Sequence, residues 1–156
     1  MIKEFELVPY KRIGDLVFGM TSDEVRKLYG EPISTQKCGF PVEDKLLEDH
    51  GYFYAIFSNK GLLEEVQFFP EFTEDTLAWI IDGSKSVLST DGEELLETFE
   101  DITDDIEEED TDCYGSERLG VKLYCAEDDI VNVSAHDEHC YDDEKKYLEE
   151  LENGEI

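Results

Sequence analysis

FGMTSDEVRKLYGEP, residues 18–32, has the clearest local grammar in the chain. Thr21 with Glu24 three positions on has the spacing of a capping box, in which each side chain accepts a backbone N–H left open at a helix start. Met20 and Val25 stand at the two positions of a hydrophobic staple. Val25 and Leu28 then share a face, Gly30 suits the left-handed conformation that closes a helix, and Pro32 prevents its continuation. A helix of about two turns has almost no stability alone in water, so it must dock on the rest of the chain.

Outward from this helix, the pattern is mostly β. Residues 2–7 alternate apolar and charged side chains, as a short strand or extended lead-in would. Residues 33–38 read as a strand and 39–51 as loop. Residues 52–58 and 62–69 are two β-rich runs joined by Asn59-Lys60-Gly61, a hairpin loop with Gly available for positive φ. Phe53, Ala55 and Phe57, or their neighbours on the other face, are candidates for the interior, with Val66 and Phe68 in the returning strand. Apolar side chains on both faces make this a central hairpin.

Residues 73–81 have helical spacing in Leu77, Ile80 and Ile81, and 86–89 a short extended look. Residues 90–100 predict a second helix, capped through Asp91 and Glu94, with Leu95, Leu96 and Phe99 as its stripe. A polar, acidic stretch occupies 101–112. Residues 120–125 and 130–135 predict a second hairpin, and 142–152 a charged helix with Tyr147, Leu148 and Leu151 as its apolar contacts.

Helix, loop and hairpin thus occur twice. Thr21 and Thr90 are 69 apart, while Phe57 and Tyr124, like Val66 and Val133, are 67 apart. The expectation is one α+β domain over 1–156: an antiparallel sheet from two β-hairpins with short helices packed on one face. The pseudo-repeats span about 13–70 and 88–137, followed by a C-terminal helix over 142–152. Gly19-Met20-Thr21, the short amphipathic helix with Val25 and Leu28, Gly30 and Pro32, then a hairpin, resemble the unit of the β-lactamase-inhibitor-protein-like fold. Small outer-membrane assembly lipoproteins share that unit, and inhibitor proteins carry two copies. The resemblance covers about fifty residues well and the second half in outline. It implies a fold, and function does not transfer with it.

Composition narrows the function. No run approaches the roughly 18 apolar residues of a membrane span, and the start reads as cytoplasmic, without a basic-then-apolar leader or a lipid-attachment cysteine. Cys38, Cys113, Cys125 and Cys140 are too scattered for a disulfide scaffold and read as thiols. Formal net charge is −29. It is uneven: −7 over residues 1–90 and −22 over 91–156. Such charge opposes compaction and makes nucleic acid and anionic membrane poor partners, whereas a basic protein is a good one.

The acidic run is the largest candidate site. Glu97, Glu100, Asp101, Asp104, Asp105, Glu107, Glu108, Asp110 and Asp112 are the carboxylates expected to face a partner, with Tyr114 as an aromatic anchor. Leu95, Phe99, Ile102 and Ile106 keep rough helical spacing beneath them. A solvated helix face running into a loop is the plainer reading of the same run. A calcium loop over 110–115 fails, because Tyr114 replaces a ligand and Val121 stands where Glu belongs. His136, His139 and Cys140, with Cys113 and Cys125, are zinc-ligand types in non-standard spacing, and structural or surface roles are the default. No nucleophile elbow, phosphate loop or His-Glu-x-x-His is present, so neither an enzyme nor a cofactor is expected.

These features point to an acidic cytoplasmic immunity protein or antitoxin of bacterial type. It would neutralise a basic toxin domain, a nuclease above all, with carboxylates in the place of phosphates. The alternatives are a phage-type DNA-mimic decoy and an acidic scaffold domain with no toxin partner.

Overall fold

A computed structural model describes residues 1–110, 113–126 and 129–154. The chain runs β1 (Ile2–Val8), β2 (Arg12–Ile13), β3 (Leu16–Val17), α1 (Ser22–Tyr29), β4 (Ser34–Cys38), β5 (Lys45–Asp49), β6 (Phe53–Phe57) and β7 (Leu63–Phe68). It continues through β8 (Thr76–Ile81), β9 (Ser84–Val87), α2 (Gly92–Ile102), β10 (Glu107–Asp110), β11 (Cys113–Ser116), β12 (Val121–Ala126), β13 (Asp129–His136) and α3 (Asp142–Glu152).

Helix α1 forms as its caps dictate. Glu24 donates its N–H to Thr21 Oγ1 at 3.3 Å, and Thr21 N–H donates to Glu24 Oε1 at 3.3 Å. Val25 is fully buried, but Leu28 is 48% exposed. In place of an apolar contact at Leu28, the helix docks through an ion pair between the partly exposed Arg26 and a buried carboxylate. Arg26 donates to Glu48 Oε2 at 2.8 and 3.1 Å. Glu48, on β5, also accepts Ser22 Oγ–H and is 0% exposed. Burial pushes its carboxyl up, but hydrogen bonds from Ser22, Arg26 and His50 outweigh that and lower it.

Two sheets result, both largely antiparallel, so the fold is α+β. The larger has eight strands in the order β10-β11-β12-β13-β7-β6-β5-β4, and the smaller has five in the order β3-β2-β1-β8-β9. The large sheet takes its strands β4–β7 from the stretch after α1 and β10–β13 from the stretch after α2, and the two groups meet where β13 runs antiparallel to β7, Ala135 opposite Val66. One face of the large sheet is apolar. Phe53, Ala55, Val66, Phe68, Val133 and Ala135 join one core cluster with Val25 of α1, Leu95 and Phe99 of α2, and Phe5 and Trp79 of the small sheet. Rings link the layers: Phe68 packs edge-on to Trp79 at 5.4 Å, and Trp79 to Phe99 at 5.9 Å.

Several elements differ from the sequence expectation. Residues 73–81 hold strand β8, parallel to β1 with Trp79 opposite Phe5, where a helix was expected. The large buried side chains are Leu77, Trp79 and Ile81, a period of two, with the small Ala78 buried on the other face. The expected loop over 39–51 contains β5, which carries the buried Leu47 and Glu48. Helix α2 ends at Ile102, so Ile106 lies beyond it and the acidic stretch continues as strand β10. The sheet is therefore wider than two hairpins, and a second sheet contains the only parallel pair among the described residues.

Candidate functional site

The acidic surface is built by two local rules. Asp91 caps α2, accepting the N–H groups of Glu93 at 2.9 Å and Glu94 at 3.2 Å. Leu95 and Phe99 then turn inward, which leaves Glu97, Glu100 and Asp101 on the solvent side. Strand β10 is an edge of the large sheet, where Glu107 and Glu108 are exposed. Charged edge strands resist pairing with other chains, a structural reason for part of this acidity. No Lys or Arg occurs from residue 86 to 117. Among the described residues, Glu97, Glu100, Asp101, Asp104, Glu107 and Glu108 make no ion pair, whereas Glu109 is held by Lys122 Nζ at 2.6 Å. An unneutralised surface of one sign projects a potential that raises the encounter rate with a basic partner.

The remaining expected site residues are placed differently. Asp105 turns inward between α2 and β10. It accepts the Thr103 and Ser116 hydroxyls at 2.6 Å each and the Arg118 N–H at 2.9 Å. Burial opposes the charge, but those bonds prevail and lower its carboxyl to about 2. It organises the turn. Tyr114 of β11 lies opposite Leu123 and packs against the core half-buried. The backbone of Asp110 pairs with Cys113 in β10, while Asp112 lies outside the described residues. Gly115 sits within β11 opposite Lys122, not at the tight bend of a calcium loop.

Sequence reasoning missed a second polar centre, on the other face of the large sheet. Glu65 of β7 is 5% exposed. Its Oε2 accepts hydroxyls from Ser134 at 2.6 Å, Tyr141 at 2.9 Å and Tyr124 at 3.3 Å. Beside it, Lys45 Nζ lies 2.5 Å from Glu64 Oε1 and donates to the Cys140 carbonyl at 2.8 Å. Burial raises the Glu64 carboxyl against the pull of Lys45. It likewise pushes the Tyr124 and Tyr141 phenols up, assisted by the charge of Glu65. With Oε2 accepting hydroxyls from Tyr124, Ser134 and Tyr141, Glu65 fastens the start of α3 to the sheet. The available signal was the acid pair Glu64-Glu65 set among Leu63, Val66 and Phe68.

The histidines and cysteines go to separate partners. His136 Nδ1 lies 2.7 Å from the Asp137 carbonyl, with its ring between Tyr10 and Tyr141. His139 is exposed, its Nδ1 2.8 Å from Asp142. Cys140 Sγ lies 3.8 Å from Glu65, and Cys113 Sγ 3.9 Å from Glu109. Among the described residues, no group of three or more His, Cys, Asp or Glu side chains is arranged to hold a metal ion, and no helix is long and apolar enough to cross a membrane. Comparison with protein-family models, curated proteins and solved structures finds no match for the chain.

Proposed function

We propose that the chain is an acidic binding protein of the immunity or antitoxin type. It works in the cytoplasm by occupying and blocking a basic toxin domain, with a nuclease as the target whose phosphate-binding cations it would engage. Its activity is binding, not catalysis. The supporting observation is the carboxylate surface over α2 and β10, where Glu97, Glu100, Asp101, Asp104, Glu107 and Glu108 are exposed and, among the described residues, without ion pairs. Charges left unpaired at the surface cost stability through repulsion, and a basic partner recovers that cost on binding.

We also read α1 to β7 and α2 to β13 as tandem units of the β-lactamase-inhibitor-protein-like kind. The reading is supported by the shared order, a capped helix followed by four strands, and by the antiparallel meeting of β7 and β13.

The test is co-expression with the product of the gene adjacent to this chain's own. A basic, growth-inhibiting product that forms a complex and is silenced by the chain supports the proposal. A neighbour with no toxic activity, or a toxin that ignores the chain, opposes it. A chain that displaces duplex DNA from many unrelated basic proteins would be acting as a DNA mimic instead.

A further inference from the structure

The surface between the small sheet and α2 is grooved. Strand β9 is one edge of that sheet, without a further strand among the described residues, and α2 forms the other wall of the groove. The cavity measures about 780 Å³. Val87 and the half-buried Ile102 supply apolar surface to it, and Glu94, Glu97 and Asp101 line its helix side. The three acids are spaced i, i+3 and i+7, one stripe of the helix. On the opposite wall the backbone is open. Leu88 N–H bonds the Leu77 carbonyl, so by antiparallel alternation the N–H and C=O groups of Lys85 and Val87 point away from β8. No other backbone bond from these residues occurs among the described residues. Lys85 leaves the acidic stripe unneutralised, because its ammonium is turned to Glu4 at 2.6 Å.

We propose that this groove takes an extended segment of the partner protein bearing Lys or Arg at alternate positions, added as a sixth strand on β9. The inference rests on the basic-partner reading above and specifies how that partner is held. Main-chain bonds to Lys85 and Val87 would set the register. Every second side chain would then meet the carboxylates of Glu94, Glu97 and Asp101, and the intervening ones, on the opposite face of the sheet, would cover the exposed Val87.

The probe is a fluorescein-labelled peptide of about eight residues, a common strand length, alternating lysine with valine. It is titrated at low salt into the full chain and read by fluorescence anisotropy and by hydrogen exchange at the Lys85 and Val87 amides. Saturable binding with slowed exchange at both amides is expected. Binding should weaken about tenfold or more in Val87→Pro, which removes one edge donor. The same loss is expected in the triple variant Glu94→Gln, Glu97→Gln, Asp101→Asn. The pair Glu107→Gln, Glu108→Gln on β10 should leave affinity within about twofold. Absent binding, unchanged exchange at the two amides, or greater dependence on the β10 pair than on the groove variants would overturn the proposal. Exchange in the unaltered chain decides the matter even if Val87→Pro does not fold. The titration needs no toxin. A negative result beside an intact neutralising complex therefore removes the groove alone, and peptide binding without any such complex removes the toxin reading alone.

Discussion

Ser134 donates its hydroxyl to Glu65 Oε2 at 2.6 Å across the seam at which β13 meets β7. The same oxygen accepts the Tyr141 hydroxyl at 2.9 Å, so one buried carboxylate joins both halves of the large sheet to the segment that begins α3. A buried charge is tolerated only when its acceptors are filled, and removing it strands the donors. Glu65→Ala should therefore cost about 2–4 kcal/mol and Ser134→Ala about 1–2 kcal/mol in urea unfolding. Helix α3 has no buried residues, so in Glu65→Ala it should also become the first site of limited proteolysis. A change below about 0.5 kcal/mol for Glu65→Ala would show that the carboxylate does not hold the seam.

Trp79 joins the aromatic rings of both sheets and α2, yet its buried indole N–H has no acceptor among the described residues. Trp79→Ala should cost about 3–5 kcal/mol through the cavity it leaves. Trp79→Phe should cost far less, because the lost ring volume is offset by removal of an unsatisfied donor. Equal losses in the two variants would mean that the N–H is satisfied in solution.

The two C-terminal histidines should titrate on opposite sides of the usual value of about 6.5. Burial lowers His136, with partial opposition from the Asp137 carbonyl, whereas the hydrogen bond to Asp142 raises the exposed His139. A depressed value means that the unfolded chain takes the proton first. The His136 contribution to stability is thus complete above about pH 6.5 and declines as pH falls below it. Proton NMR of the ring Cε1–H signals would order the two residues. The reverse order would place His136 in water.

The elements legible in the sequence were those specified by neighbours in the chain. Helix α1 needs Thr21, Glu24 and Gly30, and α2 needs Asp91, Leu95 and Phe99, all within a few residues of each other. Strand β8 depends on β1, some seventy residues away, and its Leu77, Ile80 and Ile81 mimic helical spacing. The alternation of Leu77, Trp79 and Ile81 was present but competed with that pattern. Strand β10 has no apolar side chain at all, so only its pairing with β11 makes it a strand. Of the candidate site, exposure at Glu97, Glu100 and Asp101 followed from helix periodicity. The inward turn of Asp105 required Ser116 and Arg118, which sequence spacing does not bring near. The Glu65 centre joins residues up to 76 apart and was invisible for the same reason.

At a formal net charge of −29, folding compresses like charges. Stability should rise as NaCl increases from about 10 mM to about 0.5 M, because the screening length falls from about 30 Å to a few ångströms. Glu97→Lys and Glu100→Lys should each stabilise the chain at low salt and lose that advantage at high salt. The denaturation midpoint against salt measures this, and a midpoint that falls on adding NaCl would contradict it.

The most direct test of the binding account is the association rate between the chain and its neighbour-encoded basic toxin, measured by stopped flow across a salt series. A steep fall in association rate with rising salt, at nanomolar or tighter Kd, together with a slower rate in Glu97→Lys and Glu107→Lys, is the predicted result. An association rate indifferent to both salt and these reversals would contradict the claim that the acidic surface captures the partner.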